Sequence, residues 1–375
     1  MKRTGVAVAA LMSTACGGRS DLALDPRLDV TDAAVQHDAS HDASRDAGAD
    51  ARPCVPASSL PSDPHNCGAC GHDCQGGACT NGACEPVLLF WGVQGASPSA
   101  IAVRGGYVYW IDGNAGSINK CSVSGCNHQP VVLATFHHLL SDIAVDDTNV
   151  YWTDYVDGTV RRCATGGCGG RPAVVASGLT HPGALAVDAR NVYFTGEDGT
   201  VSRCAVGGCG RPTVLASGVA SPHGIAVSAA SVYWTAQSVL ACAIDGCNGQ
   251  PTVLAPGHTP SGIAADATRV YWVDLGGGGG SASVSRCGVG GCNGRPTVLA
   301  SRQGAPLAIA VDEASVYWTD SYADTISRCA IDGCNDQPTV LVKIAVGQYP
   351  DQMAVDATSV YCSDPVNGEL LKIAK

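Results

Sequence analysis

An all-β fold is predicted from this sequence: a seven-bladed β-propeller of four-stranded antiparallel blades, closed by an N-terminal strand. Three observations predict it. A valine-tyrosine-aromatic triplet recurs at Val108, Val150, Val192, Val232, Val270 and Val316, and once more with cysteine as its third residue at Val360-Tyr361-Cys362. The intervals are 42, 42, 40, 38, 46 and 44 residues, a period at which short β-type runs build propeller blades. A Cys-x4-Cys pair follows each of the first six triplets, and a strand-like run, Pro86–Phe90, precedes the first repeat.

Each repeat divides into four strands. The first carries an Ile-Ala-Val type run whose central alanine recurs seven times, at Ala102, Ala144, Ala186, Ala226, Ala264, Ala310 and Ala354. Small side chains suit the innermost strand, where blades crowd the axis. The second strand is the Val-Tyr-Trp run, apolar on both faces because each blade lies between two others. The third is of the Thr-Val-Ser-Arg-Cys type, as at Thr200–Cys204, and the fourth is of the Pro-Thr-Val-Leu-Ala type, as at Pro212–Ala216. Proline at its start suits an outer edge strand, which has no neighbour on one side.

The cysteine pairs fall between third and fourth strands: Cys121/Cys126, Cys163/Cys168, Cys204/Cys209, Cys242/Cys247, Cys287/Cys292 and Cys329/Cys334. Glycine precedes the second cysteine every time, which suits a turn needing positive φ. We read each pair as a disulfide across the hairpin. The arginines flanking these turns (Arg162, Arg203, Arg286, Arg328, then Arg171, Arg211, Arg295) read as a solvated edge that discourages strand pairing. The seventh repeat lacks its fourth strand, and Pro86–Phe90 can supply it, closing the ring. Cys362 sits at a core aromatic position and reads as a small buried hydrophobe.

Ahead of the propeller, at 86–375, three further regions are expected: a signal peptide at 1–15, a low-complexity linker at 16–53 and a cysteine-rich module at 54–85. Lys2 and Arg3 precede the apolar run Gly5–Met12, too short to span a bilayer, and then Ser13-Thr14-Ala15-Cys16. This resembles a bacterial lipoprotein signal and implies Cys16 as the lipidation site. The linker holds Asp38, Asp42, Asp46 and Asp50 among Ala, Ser and His and reads as a disordered tether. The module has six cysteines, Cys54, Cys67, Cys70, Cys74, Cys79 and Cys84, with little apolar content, so disulfides must hold it; six allow fifteen pairings. Its Asn66–Cys74 stretch resembles the short module of stigma-specific plant proteins. A zinc site from Cys67, Cys70 and His72 competes with that reading.

The runs Tyr151-Trp152-Thr153-Asp154 and Tyr317-Trp318-Thr319-Asp320 resemble the repeats of low-density-lipoprotein-receptor propellers, which serve binding. Gly196 and Ala236 replace the aspartate in two repeats. Ser221-Pro222-His223-Gly224-Ile225-Ala226-Val227 is similar to repeats of streptogramin lyases, seven-bladed metal-dependent enzymes.

A net charge of −11 argues against nucleic acid as partner, and twenty cysteines in an exported chain point to disulfides. The face formed by fourth-to-first and second-to-third connections carries His137, His138, His181, His223 and His258. It also carries Asp154, Asp157, Glu197, Asp198, Asp320, Tyr322 and Asp324. No complete catalytic constellation is present. The expectation is therefore a lipid-anchored or secreted cell-envelope module for a protein or carbohydrate ligand, touching the membrane through its lipid alone and using no cofactor. The alternative is a metal-dependent lyase or hydrolase with a divalent ion among those histidines. A structural envelope protein is the third reading.

Overall fold

The computed structural model describes residues 59–92, 96–136, 138–256, 259–276, 281–344 and 351–375. The expected signal, linker, Cys16 and Cys54 lie outside these, as do His137 and His258. Seven four-stranded antiparallel sheets form the propeller, and in six of them the strands run in chain order from inside to outside. Blade two, for example, comprises Leu140–Val145, Asn149–Asp154, Thr159–Ala164 and Ala173–Ser177. Blade seven takes Gln352–Val355, Ser359–Asp364 and Glu369–Ala374, and Val87–Trp91 completes it as the outer strand. Val87 pairs with Lys372 in that closure.

The triplet explains how blades stack. Its tyrosine packs against the aromatic of the next blade: Tyr109 with Trp152, Tyr151 with Phe194, Tyr193 with Trp234, Tyr233 with Trp272 and Tyr271 with Trp318. Tyr361 meets Trp110 across the closure, where Phe90 also lies 5.1 Å from the Trp110 ring. Between blades six and seven the partner of Tyr317 is Cys362, with Ile344 and Met353 packed around it. Cys362 is a free, buried thiol, as its core position implied, and burial pushes its pKa up.

The polar ends of these residues are also used. Five tyrosine hydroxyls donate to an aspartate five residues earlier in the hairpin joining first and second strands: Asp146, Asp188, Asp266, Asp312 and Asp356, at 2.6–2.9 Å. The other carboxylate oxygen accepts turn amides, as Asp146 does from Thr148 and Asn149 at 2.7 Å each. The threonine after the aromatic serves a bulge in the first strand, between Leu140 and Ile143 in blade two. Thr153 Oγ1 accepts the Asp142 amide at 3.0 Å and donates to Gly183 of blade three at 2.7 Å. Thr235 does the same between Gly224 and Ser261. An amide displaced from the ladder by a bulge needs a partner when buried, and one hydroxyl satisfies it while joining two blades.

All six Cys-x4-Cys pairs are disulfides: Cys121–Cys126, Cys163–Cys168, Cys204–Cys209, Cys242–Cys247, Cys287–Cys292 and Cys329–Cys334. The glycine before each second cysteine has φ between 95° and 123°. Each pair closes its hairpin as expected, and it also touches the neighbouring blade. The first cysteine of every pair is buried, but Cys126, Cys168, Cys209, Cys247, Cys292 and Cys334 are only half-buried. These second cysteines lean across the blade boundary. Cys168 packs with Leu133 of blade one, Cys209 with Val175 of blade two and Cys247 with Leu215 of blade three. Cys292 packs with Leu254 of blade four, Cys334 with Leu299 of blade five, and Cys126 with Leu89 of the closing strand. The physical reason is the turn itself. Its positive-φ glycine swings the second sulfur off the hairpin and onto the outer strand of the preceding blade, where Cys334 Sγ lies 3.4 Å from Leu299 O.

Arg203 and Arg286 correct the solvated-edge expectation, while Arg171, Arg211 and Arg295 are exposed. Arg286 donates to Ile331 O of the next blade at 2.6 Å, and Arg203 bonds Ile244 O in the same way. Lys120 reaches Thr165 O at 2.8 Å. In blade seven the equivalent is Lys372, which donates to Val123 O of blade one at 3.2 Å and to Gln75 O of the cysteine-rich module at 2.9 Å. These cations therefore stitch neighbouring blades, and one of them spans the closure.

In the cysteine-rich module Cys67 bonds Cys79 and Cys74 bonds Cys84. Cys70 is also disulfide-bonded. Zinc ligation by Cys67 and Cys70 is thereby ruled out, and His72 Nδ1 sits 2.7 Å from Cys67 O.

Candidate functional site

Among the described residues, His138, His181 and His223 do not converge on one point. His223 is exposed at the entry to blade four, where partial desolvation lowers its pKa. Tyr322 projects from blade six, 84% exposed. Asp320 is spent on structure: its carboxylate accepts the amides of Gly304, Ala305, Tyr322 and Ala323. Asp324 holds a turn at φ 53°, and its carbonyl accepts the Ile344 amide. Asp198 caps its own hairpin through Thr200.

The other predicted residues among those described, His138, Asp154, Asp157, His181 and Glu197, do assemble, as a band across blades two and three. His138 enters blade two, with Nδ1 3.4 Å from Asp154 Oδ1 and Nε2 3.7 Å from Asp157 Oδ2. Arg161 joins them, with Nη2 2.9 Å from Asp157 Oδ2 and Nε 3.6 Å from Asp154 Oδ2. The guanidinium lies over the Phe136 ring, whose centroid is 5.7 Å from that of His138. Next along the band Tyr155 stacks on His181 at 4.5 Å, and His181 Nδ1 is 3.2 Å from Glu197 Oε2.

Local structure positions each group. Asp154 ends the second strand, Asp157 lies three residues on, and the Asp157 amide donates to Asp154 Oδ1 at 3.0 Å. The hairpin so formed is held to the incoming loop by the Tyr155 amide on Leu139 O. That bond aims Tyr155 towards His181, which adopts φ 45° at the entry to blade three.

Asp154 differs from its counterparts. Asp112 accepts the Ser97 amide of its incoming loop, Asp274 that of Thr259, and Asp320 those of Gly304 and Ala305. Asp154 is fully buried, yet its Oδ2 has no hydrogen-bond partner among the described residues, and neither has His138 Nδ1. Burial raises the Asp154 pKa, against the pull of the Asp157 amide, His138 and Arg161. Below the band, Asp142 stands where three other blades have alanine and two have glycine. It accepts the Ile143 and Leu185 amides at 2.8 Å, and burial pushes its pKa up to about 8.

Phe136, Tyr155 and Arg161 escaped the sequence reading. A signal for Arg161 was present: aligned third strands carry Asn119, Ser202, Leu240, Ser285, Ser327 and Leu371 at its position.

No family model matches the chain, and no curated protein matches it in sequence. In three dimensions it is similar to a streptogramin B lyase, with a TM-score of 0.64 and 14% identity, over 77% of this chain and 96% of that one. Virginiamycin B lyase from Staphylococcus aureus gives 0.63 and 16%, over 78% and 99%. The hydrazine synthase of Kuenenia stuttgartiensis gives 0.61 and 10%, over 76% and 97%. At such identities the likeness is one of fold, and it supports the seven-bladed ring.

Proposed function

We propose that this chain is an exported, lipid-anchored binding module of the cell envelope, taking a carbohydrate or protein ligand on the band across blades two and three. The observation that carries the reading is the Tyr155–His181 ring stack, edged by Glu197 on one side and by the His138–Asp154–Asp157–Arg161 group on the other. Aromatic faces pack against apolar sugar faces, while flanking carboxylates and cations bond hydroxyls. The eight disulfides among described cysteines suit an oxidising compartment outside the cytosol. Export and lipidation at Cys16 rest on the sequence, and mass spectrometry of the mature N-terminus tests them.

The binding test is a glycan array probed with labelled protein. Wild type should give reproducible signals that fall at least tenfold in Tyr155→Ala; signals equal in both proteins would sink the reading. A second reading, a propeller lyase, is favoured by one observation: a histidine–carboxylate group lies on the loop face of a ring similar in fold to the streptogramin B lyases. Consumption of a streptogramin B during incubation, followed by mass spectrometry, would favour it over the binding module.

A further inference from the structure

We propose that blade two carries a site for a divalent cation of the zinc class, held by the His138 imidazole and the carboxylates of Asp154 and Asp157. The inference goes beyond the binding reading, needs no ligand, and stands if that reading falls.

Three observations carry it. One donor atom from each of the three residues lies within 4.8 Å of the other two. Ligands of one tetrahedral zinc sit about 3.5 Å apart, so closing on an ion needs roughly an ångström of movement per side chain. His138 and Asp157 have that freedom, being 27% and 44% exposed.

The second observation is the pair of unpartnered atoms. Asp154 is fully buried, with Oδ2 free of hydrogen bonds, and His138 Nδ1 is buried and unpartnered beside it. A buried ionised oxygen without a donor is costly. Arg161 does not remedy this: its Nε donates to Thr159 Oγ1 at 3.0 Å and stands 3.6 Å from Asp154 Oδ2.

The third is the contrast among repeats. Asp112, Asp274 and Asp320 spend their carboxylates on amides of the incoming loop. At the Asp157 position the chain has Ala115, Gly199, Ala323 and Asn367 in other blades, so the second carboxylate belongs to blade two. Blade two alone among the described hairpins thus joins a buried carboxylate with one oxygen free of hydrogen bonds to a second carboxylate and an imidazole.

The donor set decides the class of ion. An imidazole favours zinc-class cations over calcium, which prefers six or more oxygens. Three protein ligands leave one position open to a water or a ligand oxygen. Asp157 would exchange its bond with Arg161 for the ion.

The full chain, stripped with EDTA and dialysed, is titrated with Zn²⁺ and separately with Ca²⁺ by calorimetry. One Zn²⁺ per chain is expected, at least tenfold tighter than Ca²⁺. His138→Gln and Asp157→Asn should each weaken Zn²⁺ binding at least tenfold, while His65→Gln, in the cysteine-rich module, binds as wild type. Absence of stoichiometric Zn²⁺ binding, or wild-type titrations from both site variants, would overturn the proposal. Glycan signals read in EDTA test the binding module apart from the ion.

Discussion

The two faces of this ring use the same residue types to opposite ends. On the cysteine face, an aspartate such as Asp146 accepts two turn amides and a tyrosine hydroxyl, and the pattern repeats in five blades. On the loop face, Asp157 and Glu197 are half-exposed, contact histidines, and have no equivalents in neighbouring blades. The repeated Asp–Tyr groups are committed to the fold, whereas Asp157 and Glu197 keep half-exposed carboxylates. Regularity within a single chain thereby marks these aspartates as structural without reference to another protein.

Three experiments bear on that contrast. The largest effect is expected from Asp146→Ala, which strands the buried Tyr151 hydroxyl and two turn amides. Denaturant unfolding should show a loss of about 2–3 kcal/mol, whereas Glu197→Ala on the other face should change stability by less than about 0.5 kcal/mol. Equal losses would erase the distinction between the faces. Next, replacing Cys204 and Cys209 together by serine should cost about 2 kcal/mol, the chain-entropy value for so small a loop. A variant as stable as wild type would show that the hairpin needs no staple.

The third effect, the smallest when read per pH unit, concerns Asp142, at the boundary between fold and band. Its carboxyl is held up to about 8 by burial, against about 4 in an unfolded chain. The folded protein therefore binds an extra proton between those values, so this group's contribution is full at the acid end and fades as pH rises to about 8. The slope is at most about 1.4 kcal/mol per pH unit. Asp142→Ala, the residue found in three other blades, should remove it, and the variant's relative stability should rise steadily from pH 5 to 8. A difference independent of pH would mean that Asp142 titrates alike in both states.

Much of the ring could be read from the sequence because its determinants are local and repeated. The Val-Tyr-Trp runs, the cysteine pairs and the closing strand all fall where the residues indicated. The Asp–Tyr bonds were equally visible, as an aspartate five residues before the tyrosine in five repeats, yet a polar residue in a hairpin reads as ordinary turn chemistry. Arg203 and Arg286 misled for a different reason: an arginine on an outer strand reads as solvated unless the next blade's carbonyl is known to lie within reach. The lean of Cys168 or Cys334 onto the preceding blade was hidden in the same way, since spacing tells which cysteines can pair and not what else they touch. The band was only half legible. His138, Asp154, Asp157, His181 and Glu197 were singled out by residue type, but so were His223 and Tyr322, which the ring places elsewhere. Tyr155 and Phe136 look like framework aromatics in one dimension. Only closure of the ring sets Tyr155 of one blade against His181 of the next.

The pairing of Val87 with Lys372 has a consequence for biogenesis. Each hairpin disulfide links cysteines five positions apart, so it can form as soon as its own turn has been synthesised and meets an oxidising environment. The clasp cannot. Val87–Trp91 emerges before any blade exists and must wait, unpaired, until the last strand of the propeller has followed it. The segment synthesised first is the one placed last, and throughout that interval its apolar residues, Phe90 among them, are open to capture by a chaperone or by another chain.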